Sequence, residues 1–161
     1  MNTHQKEKGF TIIEVVLVLA IAGLIFMMVF IALPSLQRSQ RDTQRKNDLN
    51  RLNTALSSYQ SNNRGNLPSS SVADTDPTSW KSFITRYVTT AGDTFVDPSG
   101  TDYDLKTTGD LPATFDSTTP IILITTPGTC DGESVITTGQ SKRKVAFQMK
   151  LEGNGTACQN N

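Results

Sequence analysis

The chain has 161 residues, 15 of them basic and 15 acidic, and a formal net charge of zero. That length predicts one domain of ordinary size, and the balanced charge argues against a whole-chain polyanion binder, which carries a clear basic excess. Only 36% of residues are apolar, yet they are unevenly placed, and the remainder, rich in Thr, Ser, Asp, Asn and Gly, is long enough for one modest core. The single histidine, His4, precedes the apolar run, so the body has no Cys–His or Ser–His pair for nucleophilic catalysis. Two cysteines do not complete a four-thiolate zinc site, and P-loop and dinucleotide fingerprints are missing. The expectation is a non-enzyme without metal or cofactor.

The first 14 residues place Lys6 and Lys8 ahead of Gly9, followed by Phe10-Thr11-Ile12-Ile13-Glu14. Val15 to Leu33 is then 19 residues without a charge. As a helix this run is about 29 Å long, close to the ~30 Å hydrocarbon core of a bilayer. The body's flank, Arg38, Arg41, Arg45 and Lys46, is also basic, so charge bias alone does not fix orientation, but a short basic leader usually stays inside, which sends the body outside. Three readings fit the run. A secretory signal would use Ala20-Ile21-Ala22 as its small-residue cut site, but cutting there leaves Phe26 to Leu33 exposed. A plain signal anchor explains the length but not Glu14, because a carboxylate near a span is costly and marks function.

The third reading rests on a resemblance. Gly9-Phe10-Thr11-Ile12-Ile13-Glu14, with its basic leader and span-length apolar run, resembles the class III signal of type IV pilins and their relatives. The resemblance implies that prepilin peptidase cuts between Gly9 and Phe10 on the cytoplasmic side and methylates the new N-terminus at Phe10. The apolar helix stays attached. It also implies an assembly role for Glu14, which would neutralise the α-amino group of a neighbouring subunit's Phe10. Gly23 matches the family glycine at which helicity can be lost inside a filament; Pro34 falls slightly later than the commonest proline position. Melting between them and a simple kink at Pro34 both remain open.

Further along, Leu49, Leu52, Leu56 and Tyr59 recur at helical spacing with Ala55 beside them. They predict that the helix resumes after Pro34 and runs to about Asn62, its apolar stripe facing a sheet. Asp42 with Arg45 and Lys46, and Asp48 with Arg51, read as pairs on its polar faces. Asp42 through Leu49, Tyr59 and Gly65-Asn66-Leu67-Pro68 also look like the helix-to-loop passage of bacterial pilins and pseudopilins. Pro68 to Ser79 reads as loop, and Ser79 to Thr89 as a short helix whose Trp80, Phe83, Ile84 and Tyr87 fill the core. Asp97 through Tyr103 resembles the turn entering the first strand of that family's head. Candidate strands are Tyr103 to Lys106, Ile121 to Thr126, Lys144 to Leu151 and, more weakly, Ser134 to Thr138; Val145, Phe147, Met149 and Leu151 alternate with period two.

Cys130 and Cys158 both lie on the same side of the apolar run, which suggests one disulfide in an oxidising compartment. Pilin heads commonly close their C-terminal region with such a bridge. Gln37 to Leu52 is basic, Ser71 to Val135 acidic and Ile136 to Asn161 basic, segregation that reads mainly as solvated faces. Asp97, Asp102, Asp104 and Asp110 lack the EF-hand spacing for calcium. Lys142-Arg143-Lys144 is too small a footprint for nucleic acid and reads as a solvated turn. Asn154-Gly155-Thr156 fits a glycosylation acceptor, incidental in the bacterial protein that the resemblance suggests.

The expected fold is therefore α+β and type IV pilin-like. A long N-terminal helix, membrane-spanning in its first half and amphipathic in its second, packs on a small antiparallel sheet. The expected parts are a leader at 1–9, a transmembrane and assembly helix at 10–36, and helix continuation plus globular head at 37–161. The expected function is a structural pilin subunit that polymerises with copies of itself into a surface filament of the adhesion or motility kind. Its implied partners are prepilin peptidase, an assembly platform with its ATPase, and the membrane. The precursor is expected in the cytoplasmic membrane with its head outside, and the assembled subunit in an extracellular pilus. The alternatives are a pseudopilin or minor pilin of a type II secretion or DNA-uptake machine and, more remotely, a membrane-anchored binding module.

Overall fold

The computed structural model describes residues 9–73, 75–89 and 94–161. The expected leader, Gly9 apart, lies outside the described residues. One helix, α1 (Ile12–Asn62), opens the fold and is continuous through both Gly23 and Pro34. Pro34 deletes one N–H from the ladder. The helix stops where Arg64 and Gly65 take positive φ (56° and 79°) and Gly65 N–H donates to Gln60 O at 2.7 Å, closing the last turn. The chain divides into two compact units, residues 1–37 and 38–161.

In the first unit the helix is apolar on every face and buries none of it. Leu17, Phe26 and Ile31 are 58%, 63% and 77% exposed. Its best 18-residue window has a mean hydropathy of 3.1 and is 0% buried. Length and composition therefore suffice to cross a bilayer.

The second unit holds the core. From Arg38 onward α1 is amphipathic, and Leu49, Leu52, Ala55 and Leu56 form its buried stripe. They pack with a second short helix, α2 (Trp80–Ile84), and the π-helical turn that continues it, Thr85–Thr89. Ser79 caps α2, its hydroxyl accepting from Ser82 N–H. Trp80 and Phe83 are 1% and 2% exposed, and they meet edge to face with centroids 5.6 Å apart; Trp80 meets Phe147 likewise at 5.8 Å.

The strands are β1 (Asp104–Lys106), β2 (Ile121–Thr125), β3 (Thr129–Asp131), β4 (Ser134–Ile136), β5 (Ala146–Lys150) and β6 (Thr156–Asn160). A four-stranded sheet has the order β1-β2-β5-β6, and β3-β4 forms a separate hairpin. The four-stranded sheet is mixed. Its β2-β5 and β5-β6 pairs are antiparallel as expected, but β1 pairs with β2 in parallel, Leu105 opposite Ile122. The reason is the connection. Residues 107–120 return the chain to the end of the sheet where β1 began, and Asp104 N–H bonds Pro120 O, so β2 starts beside the start of β1 rather than turning back as a hairpin.

The period-two residues Val145, Phe147, Met149 and Leu151 are buried, and so are Ala146 and Gln148 on the opposite face. The hairpin side covers that face, where Gln148 Nε2 donates to Glu133 O at 2.8 Å. Gly128, just after the cis Thr126–Pro127 bond, has no room for a side chain: a Cβ there would stand 2.9 Å from Thr125 O and 3.0 Å from Val135 Cγ1.

Candidate functional site

The residues expected to be processed sit where regular structure begins. Gly9, Phe10 and Thr11 precede α1 in non-helical backbone, and Phe10 is 88% exposed. Nothing described lies within 4 Å of where a Gly9 Cβ would stand, so the small size of Gly9 serves no packing need within these residues. Gly23 is equally open.

Thr11 and Glu14 form a reciprocal capping box. Thr11 N–H and Thr11 Oγ1–H both donate to Glu14 Oε2 at 3.0 Å, and Glu14 N–H donates back to Thr11 Oγ1 at 3.4 Å. The Thr-x-x-Glu spacing is a visible sequence signal for this contact. The negative side chain also sits at the positive end of the helix dipole.

In the head a second charged group is built around Arg45, which is wholly buried. Its Nε donates to Asp97 Oδ2 at 2.6 Å and its Nη2 to Asp97 Oδ1 at 2.9 Å, a bidentate pair. Its Nη1 donates to Asp42 Oδ1 at 3.0 Å and lies 2.9 Å from Glu152 Oε1. The Phe115 ring stacks 4.0 Å from the guanidinium carbon. Arg41 adds a second bidentate pair to Glu152 at 2.8 and 2.6 Å, while Asp42 accepts from Glu152 N–H and Gly153 N–H. The group thus fastens α1 to the β5-β6 turn and to the Asp97 loop.

The electrostatics follow from this packing. Hydrogen bonds from Arg41, helped by Arg45 and opposed by burial, hold Glu152 down to about 2. Burial pushes Asp97 up, but Arg45 and Ser99 outweigh it and leave the carboxyl below its ordinary value. Arg45 is raised because its carboxylate partners outweigh its burial. Burial and the short bond from Tyr103 Oη to Asp48 (2.7 Å) raise the tyrosine.

These contacts correct one expectation. The basic stretch from Gln37 is not only a solvated face, because Arg45 leaves water entirely. Both oxygens of Asp97 accept from Arg45. Lys144, expected in a solvated turn, donates to Asn161 O. Sequence reasoning missed Asp97 and Glu152 as partners of Arg45. They lie 52 and 107 residues away, and only their acidity hinted at them.

Cys130 and Cys158 are joined, Cα to Cα 5.8 Å, and link β3 to β6. Cys130 N–H also donates to Asn160 Oδ1 at 3.0 Å. The described residues therefore hold two separate places of interest: Gly9 to Glu14 with the apolar run, and the charged group with the disulfide in the head.

Comparison with known proteins bears on the first. Residues 4–30 match the family model described as the prokaryotic N-terminal methylation motif. This is the class III prepilin signal of type IV pilin-like proteins. No curated protein and no solved structure matches the chain.

Proposed function

We propose, from that signal, that the chain is a type IV pilin subunit that prepilin peptidase cuts between Gly9 and Phe10 and methylates at Phe10. The mature chain then polymerises through its apolar helix into a surface filament. The observation that carries this reading is the apolar run, which is exposed on every face and led by a carboxylate. A plain anchor needs the apolar surface but not Glu14. In a filament both have a use. The helices bury one another's side chains, each contributing roughly 1.5–3 kcal/mol when fully covered. Cleavage creates an α-amino group at Phe10, with an ordinary pKa of about 8, so it is charged at neutral pH. Glu14 of a neighbouring subunit neutralises it, which removes two desolvation penalties together and fixes the axial register.

The reading places the precursor in the cytoplasmic membrane with the head outside and the mature chain in an extracellular filament. An assembly platform and its ATPase would extract it, and the chain itself performs no catalysis. Mass spectrometry of sheared cell-surface filaments tests this. The expected fragment begins at methyl-Phe10, and a chain beginning at Met1 or Gly23 ends the reading. Long filaments built of this chain fit a pilin; loss of secretion or DNA uptake with filaments intact would assign it to a pseudopilin instead. Glu14→Val should insert and be cleaved normally yet fail to polymerise at the wild-type level. Abundant filaments of that variant alone would sink the role of Glu14.

A further inference from the structure

The basic stretches Gln37 to Leu52 and Ile136 to Asn161 are far apart in sequence, yet the head brings both to one face of α1. Two cavities open there. One, of about 290 Å³, lies between Lys46 and Asn50 of α1 and Thr156 and Gln159 of β6. The other, of about 400 Å³, lies between Ser57 and Ser61 of α1 and Arg143 and Lys144 ahead of β5. Asn50 and Ser61 are eleven residues apart on one helix, so about 17 Å separates the cavities. Asn53 stands between them on the same helix face, three residues after Asn50 and four before Ser57.

Among the described residues no carboxylate lines either cavity, although the chain has 15 acidic residues. Neither Lys46 nor the Arg143 guanidinium has an ion-pair partner among them. Arg143 lies over Gly65, its guanidinium carbon 3.1 Å from where a Cβ would stand. There the negative end of the α1 dipole holds the cation without a carboxylate, so its charge stays available. Asn53 Oδ1 is shut off from solvent and has no hydrogen-bond partner among the described residues. An unbonded buried acceptor is rare and marks a missing donor. Because that oxygen has no bond to lose, the half-buried amide can turn outward to a ligand.

We propose that this face of the head binds an acidic polysaccharide, with carboxylates on Lys46 at one end and Arg143 at the other and sugar hydroxyls on the amides and hydroxyls between. The head would do this whether or not the chain polymerises. Sugar hydroxyls donate and accept, as do the side chains of Asn and Ser. Cations separated by a neutral stretch suit a polymer that carries its charge at intervals. Nucleic acid fits less well. No aromatic side chain lines either cavity among the described residues, so bases have no stacking platform, and so few cations are a small footprint for a phosphate backbone.

The test titrates an oligogalacturonate long enough to span both cavities into the detergent-solubilised full chain, followed by calorimetry, with a neutral dextran oligomer and a single-stranded oligonucleotide beside it. The oligogalacturonate should bind, more weakly as salt is raised, and dextran should not. Monomeric galacturonate reaches one cavity at a time and should bind far more weakly. The double variant Lys46→Gln, Arg143→Gln changes two exposed side chains. It should lose about tenfold in affinity, with the urea midpoint of Trp80 fluorescence unchanged. Asn53→Leu should bind about fivefold more weakly without a lower midpoint, because it removes an acceptor that has no partner in the fold.

Wild-type chain that ignores oligogalacturonate overturns the proposal, as does a double variant that binds it like wild type. An oligonucleotide that binds more tightly than oligogalacturonate also overturns it and assigns the face to nucleic acid. Monomer binding as tight as the oligomer overturns the pairing of the two cavities. Full affinity in Asn53→Leu, with a lowered urea midpoint, overturns the part given to Asn53 and makes its oxygen the holder of a structural water.

Discussion

Arg45 brings a full positive charge into a core otherwise filled by Leu49, Trp80 and Phe147, and it is tolerated because each of its three nitrogens has a carboxylate partner. Replacing such a buried ion group with apolar side chains is often neutral, whereas removing one member strands the others. Arg45→Met should therefore destabilise the head by about 3–5 kcal/mol, because Asp97 is left buried and uncompensated. Trp80, the only tryptophan and 1% exposed, reports this directly through its fluorescence in urea titrations. Adding Asp97→Asn should recover part of the loss, and no recovery would show that packing against Phe115 matters more than charge. At the other end of the chain, Gly9→Val meets no described neighbour and should leave the fold untouched, yet the resemblance to prepilins predicts that it blocks cleavage. The measurement is gel mobility, and normal processing would mean that the scissile bond is misplaced. Local patterns made Glu14 legible, because a lone carboxylate beside a 19-residue apolar run is conspicuous. Arg45 was not: its spacing from Asp42 matches a surface pair, and no local rule joins it to Asp97.

Elements with strong periodicity could be read in advance, and those held by a partner could not. The stripe of Leu49, Leu52 and Leu56 predicted the end of α1 at Asn62, where the structure places it. The alternation from Val145 to Leu151 predicted β5 within one or two residues. By contrast, β3 is three residues, and β6 reads Thr-Ala-Cys-Gln-Asn, with no apolar alternation. Its strand state comes from pairing with β5 and from the Cys130–Cys158 link, both long-range. β6 is also an edge strand that buries only Ala157, so the link carries an unusual share of its hold. For cysteines 28 residues apart, the chain-entropy estimate is about 3–4 kcal/mol. Cys158→Ser should lower head stability by roughly that amount. Hydrogen exchange should rise first in β6 and the β3-β4 hairpin while α2 stays protected. Cleavage at Gly9 should be unaffected. Unchanged stability, or two thiols that alkylate freely in native wild-type protein, would show that the bridge does not hold the head.

At the scale of the molecule the two units are stabilised by different physics. The apolar unit buries nothing by itself and depends on lipid or, in the proposed filament, on other helices, a non-directional attraction that acid does not titrate. The head depends on a core and on the ionised group around Arg45, and acid does titrate that. Glu152 is held down to about 2, chiefly by Arg41 and then by Arg45, against an ordinary value of 4.5. Between those two values the unfolded chain binds a proton that the folded head refuses. The stabilisation from Glu152 is therefore complete above about pH 4.5 and is lost as pH falls through about 2, at most about 3 kcal/mol for a shift of this size. Asp97 is also depressed and adds in the same direction. The urea midpoint of Trp80 fluorescence in the detergent-solubilised full chain should thus be flat from pH 7 to about 5 and fall steeply below it. Glu152→Gln should start from a lower midpoint and show a shallower fall, because one of the groups responsible has been removed. Arg41→Gln should behave similarly, since it takes away the larger cause of the Glu152 shift. An acid profile identical in wild type and both variants would mean that the carboxylates around Arg45 do not govern the stability of the head.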